Sequence, residues 1–234
     1  MKALLASPTY GPVDPLCVTA IRIAVMTAGR HGTDWVGDYS PDRVTYGAAR
    51  NLVARYLDDN PIADGIVWID SDMIPETASI WKLMATVERD NLDFLSGLYH
   101  QRRGMHAPLF YKYVPERDTF TQAYMYEPDC LFKADGCGFG IVWTSLRMLQ
   151  GIKASANFQP DAGEWFPDRR LGFGKFGEDL GFCRQAMQAG YQLWIDSGIT
   201  SGHCGEVEIV TRETYLKKQA EAHGGLKRVS EGVG

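Results

Sequence analysis

GIVWIDSDM, residues 65 to 73, is a short apolar run that ends in two acidic residues one position apart. Its first five residues are apolar and mostly β-branched or aromatic, which predicts a strand buried on both faces of a sheet. Ligands of open α/β sheets bind at the carboxyl ends of strands, and residues two apart in extended backbone point the same way. Asp70 and Asp72 are therefore expected to converge on one point and to suit a divalent metal that carries a substrate phosphate. The alternative is that Asp70 caps the strand and residues 71–75 form a turn.

Composition indicates a folded protein without a bias toward nucleic acid or membrane. With 234 residues, 45% of them hydrophobic, the chain can form one large domain or two fused lobes. The net charge of -5 argues against a protein that coats nucleic acid without sequence preference. The five cysteines are odd in number and form no CxxC pair, which predicts neither a disulfide framework nor a structural zinc site and fits a reducing compartment. No apolar run approaches the roughly 18 residues of a membrane span, and the first residues do not resemble a signal peptide, so a soluble cytoplasmic protein is expected.

Strand and helix patterns alternate over the first hundred residues, which predicts a parallel sheet with crossover helices. Strands are expected at 2–7, 35–36, 65–69 and 94–98, and helices at 15–29, 44–57 and 77–88. Beyond residue 100, strands expected at 108–114, 130–134 and 139–143 have no helices between them, which indicates a more antiparallel half. A helix at 178–189, a strand at 192–196 and an amphipathic helix at 211–222 complete the expected order.

Glu178 and Asp179 open a predicted helix directly behind the glycine-containing stretch 172–177. Adjacent residues on a helix point about 100° apart. Only one of the two is therefore expected to enter a site, while the other caps the helix or pairs with a basic side chain. A carboxylate behind a glycine-rich loop suits a general base that accepts a proton from an incoming hydroxyl. The alternative is a simple favourable interaction with the helix N-terminus. The aperiodic, aromatic-containing stretch 157–177 predicts a lid over the site.

His203 is expected in a loop after the last strand, between Gly202 and Gly205. There it would supply the nitrogen ligand that the aspartate pair lacks, although a lone loop histidine is more often a surface group. Cys204 beside it has no second cysteine at zinc-ligand spacing.

Four less specific features each have two interpretations. Gly136 and Gly138 beside Cys137 permit close approach of a ligand or serve a tight turn. Arg50 would reach a nucleotide or lie on a solvated helix face. Arg102 and Arg103 would contact either phosphate or the acceptor. Trp165 and Phe166 would form either a stacking platform for a sugar or base, or a satellite hydrophobic core.

Seven segments, in this order, resemble the GT-A fold glycosyltransferases, especially the family 2-like enzymes of bacteria and phages. They cover nearly the whole ordered chain: SPTYG (7–11), ARNLVARYL (49–57), VWIDSDM (67–73), FLSGLYHQRR (94–103), DGCGFGIVWTS (135–145), GEDLGFCRQAMQAGYQLWID (177–196) and GHCG (202–205). The correct order of all seven, rather than any one of them, makes the resemblance specific.

The resemblance implies an α/β fold with a Rossmann-like mixed sheet, in which a mostly parallel nucleotide-sugar half at 1–100 joins a smaller antiparallel acceptor half at 101–210. A C-terminal helix and flexible tail would follow at 211–234. It also implies a metal-dependent enzyme, with Mn²⁺ or Mg²⁺, that moves a sugar from a UDP- or GDP-sugar to an acceptor hydroxyl. Inversion is preferred because of the acidic pair at a helix start, while retaining relatives share the scaffold. A metal-dependent nucleotidyltransferase or phosphohydrolase and an inactive sugar-nucleotide binding module are the alternatives.

The same resemblance assigns roles to residues of this chain. The nucleotide would contact Ser7, Pro8, Thr9, Tyr10 and Asp70. Arg50 joins this set from its position on the helix before the acidic strand end. The metal would be bound by Asp72 and His203, with Asp70 beside them. The transferred sugar would lie against Gly136, Cys137 and Gly138, and the base would be Asp179 or Glu178. The acceptor stays open among a small molecule, a glycan, a protein side chain and a hydroxymethylated DNA base, the last kept in view by the basic pairs 102–103 and 169–170.

Overall fold

The computed structural model describes residues 1–9, 11–42, 44–156, 158, 164–167, 176–205 and 209–230, with side chains described as far as residue 221. The helices within these ranges are α1 (Pro15–Arg30), α2 (Tyr46–Asp59), α3 (Ser79–Asp90), α4 (Leu146–Lys153), α5 (Glu178–Gln188) and α6 (Arg212–Ser230). The strands are β1 (Lys2–Ala6), β2 (Asp34–Asp38), β3 (Gly65–Ile69), β4 (Met73–Pro75), β5 (Phe94–Leu98), β6 (Phe110–Val114), β7 (Thr119–Gln122), β8 (Leu131–Ala134), β9 (Gly136–Cys137), β10 (Ile141–Ser145), β11 (Leu193–Cys204) and β12 (Ile209–Val210).

Among the described residues, nine strands form a mixed central sheet in the order β12-β11-β5-β10-β3-β1-β2, with β4 and β8 both paired to β11. The pairs β1–β2, β1–β3 and β5–β11 are parallel, while β10 lies antiparallel between β3 and β5. A second, antiparallel sheet has the order β7-β6-β9. The architecture is thus α/β, with a mostly parallel main sheet and a small antiparallel one.

Alternate residues of the central strands face opposite layers of helices, because successive side chains of a strand point to opposite faces. Ile66 and Trp68 of β3 pack into a core that includes apolar residues of α2, α4 and α5. Val67 and Ile69 pack into the other core, with residues of α1 and α3. Every residue of β3 is buried, as the apolar run predicts.

Local signals in the sequence account for the starts of several helices. The Asp14 side chain accepts a hydrogen bond from the Leu16 amide at 2.7 Å, and Pro15 occupies the first turn of α1, as predicted. Ser145 caps α4 by accepting from the Met148 amide at 2.9 Å. The sequence analysis does not predict helix α4, which is only eight residues long.

The strand after α5 is longer than predicted. The expected strand 192–196 is the first part of β11, which continues to Cys204 past a register shift between Asp196 and Thr200 in its pairing with β5. His203 therefore lies within a strand, opposite Met73 of β4, and the prediction of a loop position is wrong. Among the described residues, none of the helices combines the length and apolarity that a membrane crossing needs.

Candidate active site

Asp70 and Asp72 follow β3 at the carboxyl edge of the sheet, and their side chains contact different partners. The strand ends at Ile69, and a turn follows in which the Met73 amide donates to the Asp70 carbonyl at 3.0 Å. The alternation of extended backbone is lost in this turn, so Asp70 turns toward Arg50 while Asp72 turns toward His203 and Arg102. Convergence of the two carboxylates on one metal stays a prediction. A turn is present at 71–72, but residues 73–75 form β4, so the expectation of a turn over 71–75 is only partly correct.

Arg50 of α2 is buried beneath this edge, with 1% of its surface exposed, and its guanidinium contacts three carboxylates. Nη2 lies 2.7 Å from Asp70 Oδ1, and Nη1 lies 2.6 Å from Asp179 Oδ1 and 3.2 Å from Glu178 Oε1. The guanidinium also lies over the rings of Phe139 and others, 5.2 Å from the Phe139 centroid. Arg50 thus joins the end of β3 to the start of α5, and its predicted contact with a nucleotide stays a prediction.

Glu178 and Asp179 both reach the same guanidinium nitrogen, although they are adjacent on α5. Which of the two enters a substrate site stays a prediction, but both pair with the same basic side chain. The physical reason is their place at the first two positions of the helix, where side chains of different length bend toward one buried cation. Both carboxylates remain partly open to solvent, with 19% and 27% of their side-chain surface exposed.

Electrostatics distinguish the members of this cluster. Burial disfavours the charged guanidinium, yet Asp179, Asp70 and Glu178 hold the pKa of Arg50 above its ordinary value. Burial raises the pKa of Asp179 to about 7, with Glu178 and Asp70 adding to the rise and Arg50 opposing it. Burial likewise raises the pKa of Asp70 against the opposing effect of Arg50. One cation faces three carboxylates, so the cluster favours holding a proton near neutral pH.

Asp72 and His203 meet at the other side of the turn, where Asp72 Oδ2 lies 3.4 Å from His203 Nε2. The backbone sets this meeting, because the Cys204 amide donates to the Asp72 carbonyl at 2.8 Å. His203 Nδ1 lies 2.8 Å from the His100 carbonyl oxygen, which can only accept, so Nδ1 carries the hydrogen. Nε2 is thereby turned toward Asp72, as a hydrogen-bond donor when the ring is protonated and as a lone pair when it is neutral.

Arg102 approaches the same carboxylate, with Nη1 2.9 Å from Asp72 Oδ2. Burial opposes ionisation of Asp72, but the hydrogen bond and charge of His203, together with Arg102, hold its pKa below the ordinary value. An ionised oxygen beside an oriented imidazole nitrogen is a donor set that fits a divalent cation. Among the described residues, however, no three His, Cys, Asp or Glu side chains form one metal-binding group, and Asp70 does not join the pair.

The segment after β1 contacts the segment after β2. The Ser7 amide donates to Ser40 Oγ at 2.9 Å, and the Thr9 amide donates to the Pro41 carbonyl at 3.1 Å. Ser40 in turn donates to Asp38, the last residue of β2. Sequence reasoning missed Asp38 because the strand pattern of β2 is weak and half-exposed. Ser7 and Thr9 line a mainly apolar cavity of about 520 Å³ that Asp38 and Ser40 also border. Tyr10 lies outside the described residues.

Gly136, Cys137 and Gly138 are buried, and the glycines make room for protein groups. A Cβ at Gly138 would lie 2.1 Å from the Tyr99 hydroxyl, and one at Gly136 would lie 2.8 Å from Leu180. The same hydroxyl accepts a hydrogen bond from the Gly140 amide at 3.0 Å. Contact of this segment with a sugar stays a prediction.

Trp165 and Phe166 are core residues, which decides between their two interpretations. Both are buried, and the Asn51 side chain holds Phe166 by accepting from its amide at 2.9 Å and donating to its carbonyl at 3.1 Å. Residues 164–167 are therefore anchored against α2. Most of the predicted lid, 157, 159–163 and 168–175, lies outside the described residues, as does the basic pair 169–170.

The layered mixed sheet, with acidic groups at its carboxyl edge and a small antiparallel sheet beside it, has the GT-A fold of glycosyltransferases. Two similar solved structures are A197 from STIV and GalNAc-T7 with UDP, GalNAc and Mn²⁺. The first has a TM-score of 0.60 at 16% identity over 92% of each chain. The second has a TM-score of 0.59 at 9% identity, over 88% of this chain and 44% of GalNAc-T7, so this chain matches less than half of that protein. No protein-family model and no curated protein sequence matches the chain.

Replacing Arg50 by methionine is expected to lower the free energy of unfolding by about 3–5 kcal/mol at pH 8, because it leaves three neighbouring carboxylates without their cation. The loss should be smaller at pH 5. Without the cation the folded-state pKa values of Asp70 and Asp179 rise further, so the folded variant binds more protons than the unfolded chain and gains stability as pH falls. Urea unfolding at the two pH values measures the effect.

Arg55 provides the matched control for that substitution. It lies on the same helix and pairs with Glu164, but its side chain is 52% exposed, so Arg55→Met should cost only about 0–1 kcal/mol at either pH. Equal losses for the two variants would show that the Arg50 cluster does not hold the site together.

Proposed function

We propose that the chain is a metal-dependent glycosyltransferase that moves a sugar from a nucleoside-diphosphate sugar to an acceptor hydroxyl, with inversion. The observation that carries the proposal is the meeting of two acidic segments on Arg50. Its guanidinium nitrogens lie 2.7 Å from Asp70 and 2.6 Å from Asp179, so the strand-end turn and the start of α5 border one site. The GT-A fold supports the reaction class, and the GalNAc-T7 structure, which contains UDP, GalNAc and Mn²⁺, supports a nucleotide-sugar donor and a metal.

Two adjoining cavities support binding of the donor nucleotide. The mainly apolar cavity beside Ser7, Thr9 and Asp38 suits a nucleobase and ribose. A second cavity of about 520 Å³ contains Asp72 and the basic residues near it, and both cavities are bordered by Val13 and Ser71. A nucleoside diphosphate would span the boundary, with its phosphates toward Asp72.

Asp72 and His203 would hold the divalent cation, through the carboxylate oxygen and the oriented Nε2. The bound cation would neutralise negative charge that develops on the leaving diphosphate. Asp70 would act from beside this pair, since its carboxylate is held by Arg50.

Asp179 is the better candidate for the general base. Its pKa of about 7 matches a group that must accept a proton near neutral pH. It also borders the glycine segment proposed for the sugar, because a Cβ at Gly138 would lie 3.7 Å from Asp179 Oδ2. Glu178, whose contact with Arg50 is longer, would share the positive charge and keep the base in place.

A panel of UDP- and GDP-sugars with Mn²⁺ tests the proposal. Slow release of the nucleoside diphosphate from one or a few donors, and none with EDTA, is the expected result. Release of nucleoside monophosphate or of inorganic phosphate would instead indicate a nucleotidyltransferase or phosphohydrolase. Binding of a donor without any release, in the presence of acceptor candidates of each chemical class, would indicate a binding protein.

Replacing Asp72 by alanine should abolish the increase in nucleoside-diphosphate affinity that Mn²⁺ produces, because the variant loses the carboxylate ligand. Isothermal titration calorimetry of UDP and GDP, with Mn²⁺ and with EDTA, measures this difference. The EDTA titration is the internal control, and the melting temperature without ligand reports any structural effect of losing the contacts with buried His203 and exposed Arg102. Undiminished enhancement by Mn²⁺ would remove Asp72 from the metal site.

Asp179→Asn is expected to keep donor affinity and to lower turnover by about 10² to 10⁴. In the parent protein, kcat/KM should rise about tenfold per pH unit below pH 7 and level off above it, because only ionised Asp179 accepts the proton. Glu178→Gln is the matched control and should keep the shape of this profile. If Glu178→Gln is inactive and Asp179→Asn is not, the base is Glu178, and activity of both variants would favour a retaining reaction.

A further inference from the structure

The cavity that contains Asp72 is bordered by basic side chains from two distant parts of the chain. Arg102, Arg103 and His106 come from the segment after β5, and Lys218 comes from α6. The acidic side chains on its wall are Asp14, which caps α1, and Asp72. Among the described residues, the positive groups therefore exceed the negative ones, in a cavity large enough for a small anion or a phosphate chain.

His106 is held in an unusual backbone conformation beside this cavity. Its φ is +51°, in the left-handed region that a non-glycine residue adopts at a cost, and it is 2% exposed. His106 Nδ1 lies 2.9 Å from the Gln101 carbonyl oxygen, so Nδ1 carries the hydrogen and the neutral ring offers Nε2 as an acceptor. Lys218 Nζ contacts this Nε2. The histidine thus fixes the direction of the lysine ammonium.

The first turns of α6 are docked, which sets the position of Lys218. Tyr215, three residues earlier on the same helix face, is 6% exposed and packs against the His100 ring in a tilted arrangement, with the centroids 5.1 Å apart. Its hydroxyl donates to the Tyr124 carbonyl at 3.3 Å. Lys217, the adjacent residue, is exposed and does not border the cavity.

We infer that Lys218, oriented by His106, binds the phosphate chain of the donor, so that α6 is part of the donor site. The inference rests on the proposed function for the identity of the ligand. Its chemistry is that of a diphosphate: the Lys218 ammonium donates to phosphate oxygens from the side of the cavity formed by α6, while Arg102 and Arg103 offset the charge of Asp72. Part of the affinity for a diphosphate then needs no metal.

Inorganic pyrophosphate in EDTA is the first probe, because it carries the phosphate chain without base, ribose or sugar. Titration calorimetry should show a dissociation constant at least about tenfold higher for Lys218→Met than for the matched control Lys217→Met. The same ratio should appear with UDP or GDP, and the melting temperatures of the two variants should agree. Equal affinities of Lys218→Met and Lys217→Met for these anions would overturn the inference.

His106→Asn tests the orientation of the lysine. Asparagine tolerates the left-handed backbone and can still donate to the Gln101 carbonyl, but it offers no acceptor at the position of Nε2. The substitution should weaken pyrophosphate binding when Lys218 is present and have no added effect in a Lys218→Met background. Full additivity of the two substitutions would overturn the positioning role of His106.

These outcomes separate the inference from the proposed function. If the Lys218 effect is present and no nucleotide sugar is turned over by the parent, the anion site stands and the transferase proposal fails. If the parent releases nucleoside diphosphate from a donor and Lys218→Met binds and reacts like the parent, the transferase proposal stands and the inference fails.

Discussion

One buried guanidinium determines how the acidic groups of this protein are arranged. Arg50 lies under the carboxyl edge of the sheet and reaches the end of β3 with one nitrogen and the start of α5 with the other. A single charge of this kind cannot neutralise three carboxylates. Burial, together with the negative charges of Glu178 and Asp70, raises the pKa of Asp179 to about 7 and keeps a proton on it up to about neutral pH. The same contact therefore fixes the geometry of the site and sets the chemistry available to it.

The turn at residues 70–72 divides the site into two parts with different charges. Asp70 belongs to the Arg50 cluster, whereas Asp72 belongs to a group with His203 and Arg102 beside the polar cavity. Since the pKa of Asp72 is lowered and that of Asp179 is raised, one carboxylate is available as an ion and the other for proton transfer. Such a separation of pKa values is a common arrangement in acid–base catalysis.

The sequence predicted those features that depend on local patterns. The apolar run 65–69, the Asp-Pro start of α1 and the acidic start of α5 each contain their own signal, and all three are confirmed. The separate partners of Asp70 and Asp72 were not predicted, because they depend on where the strand ends. The contacts of Arg50 with Glu178 and Asp179, and the position of His203, depend on segments more than 100 positions apart, for which a single sequence contains no pattern. Lys218 is visible only as one of several charges on an amphipathic helix.

The position of β10 has a consequence for the order in which the protein folds. β3 and β5 run in the same direction and are joined through β4 and α3, yet they do not pair, because β10 lies between them. β10 comes more than 40 positions after β5 begins. A nascent chain therefore has two buried strands with open edges until β10 is made, and non-local pairing of this kind slows folding and leaves strand edges available for aggregation. The contacts of Arg50 with α5 form later still, since Glu178 and Asp179 lie 128 and 129 positions after it. The centre of the sheet and the Arg50 cluster are thus completed late in synthesis. Until then, the open edges of β3 and β5 are exposed to association with other chains.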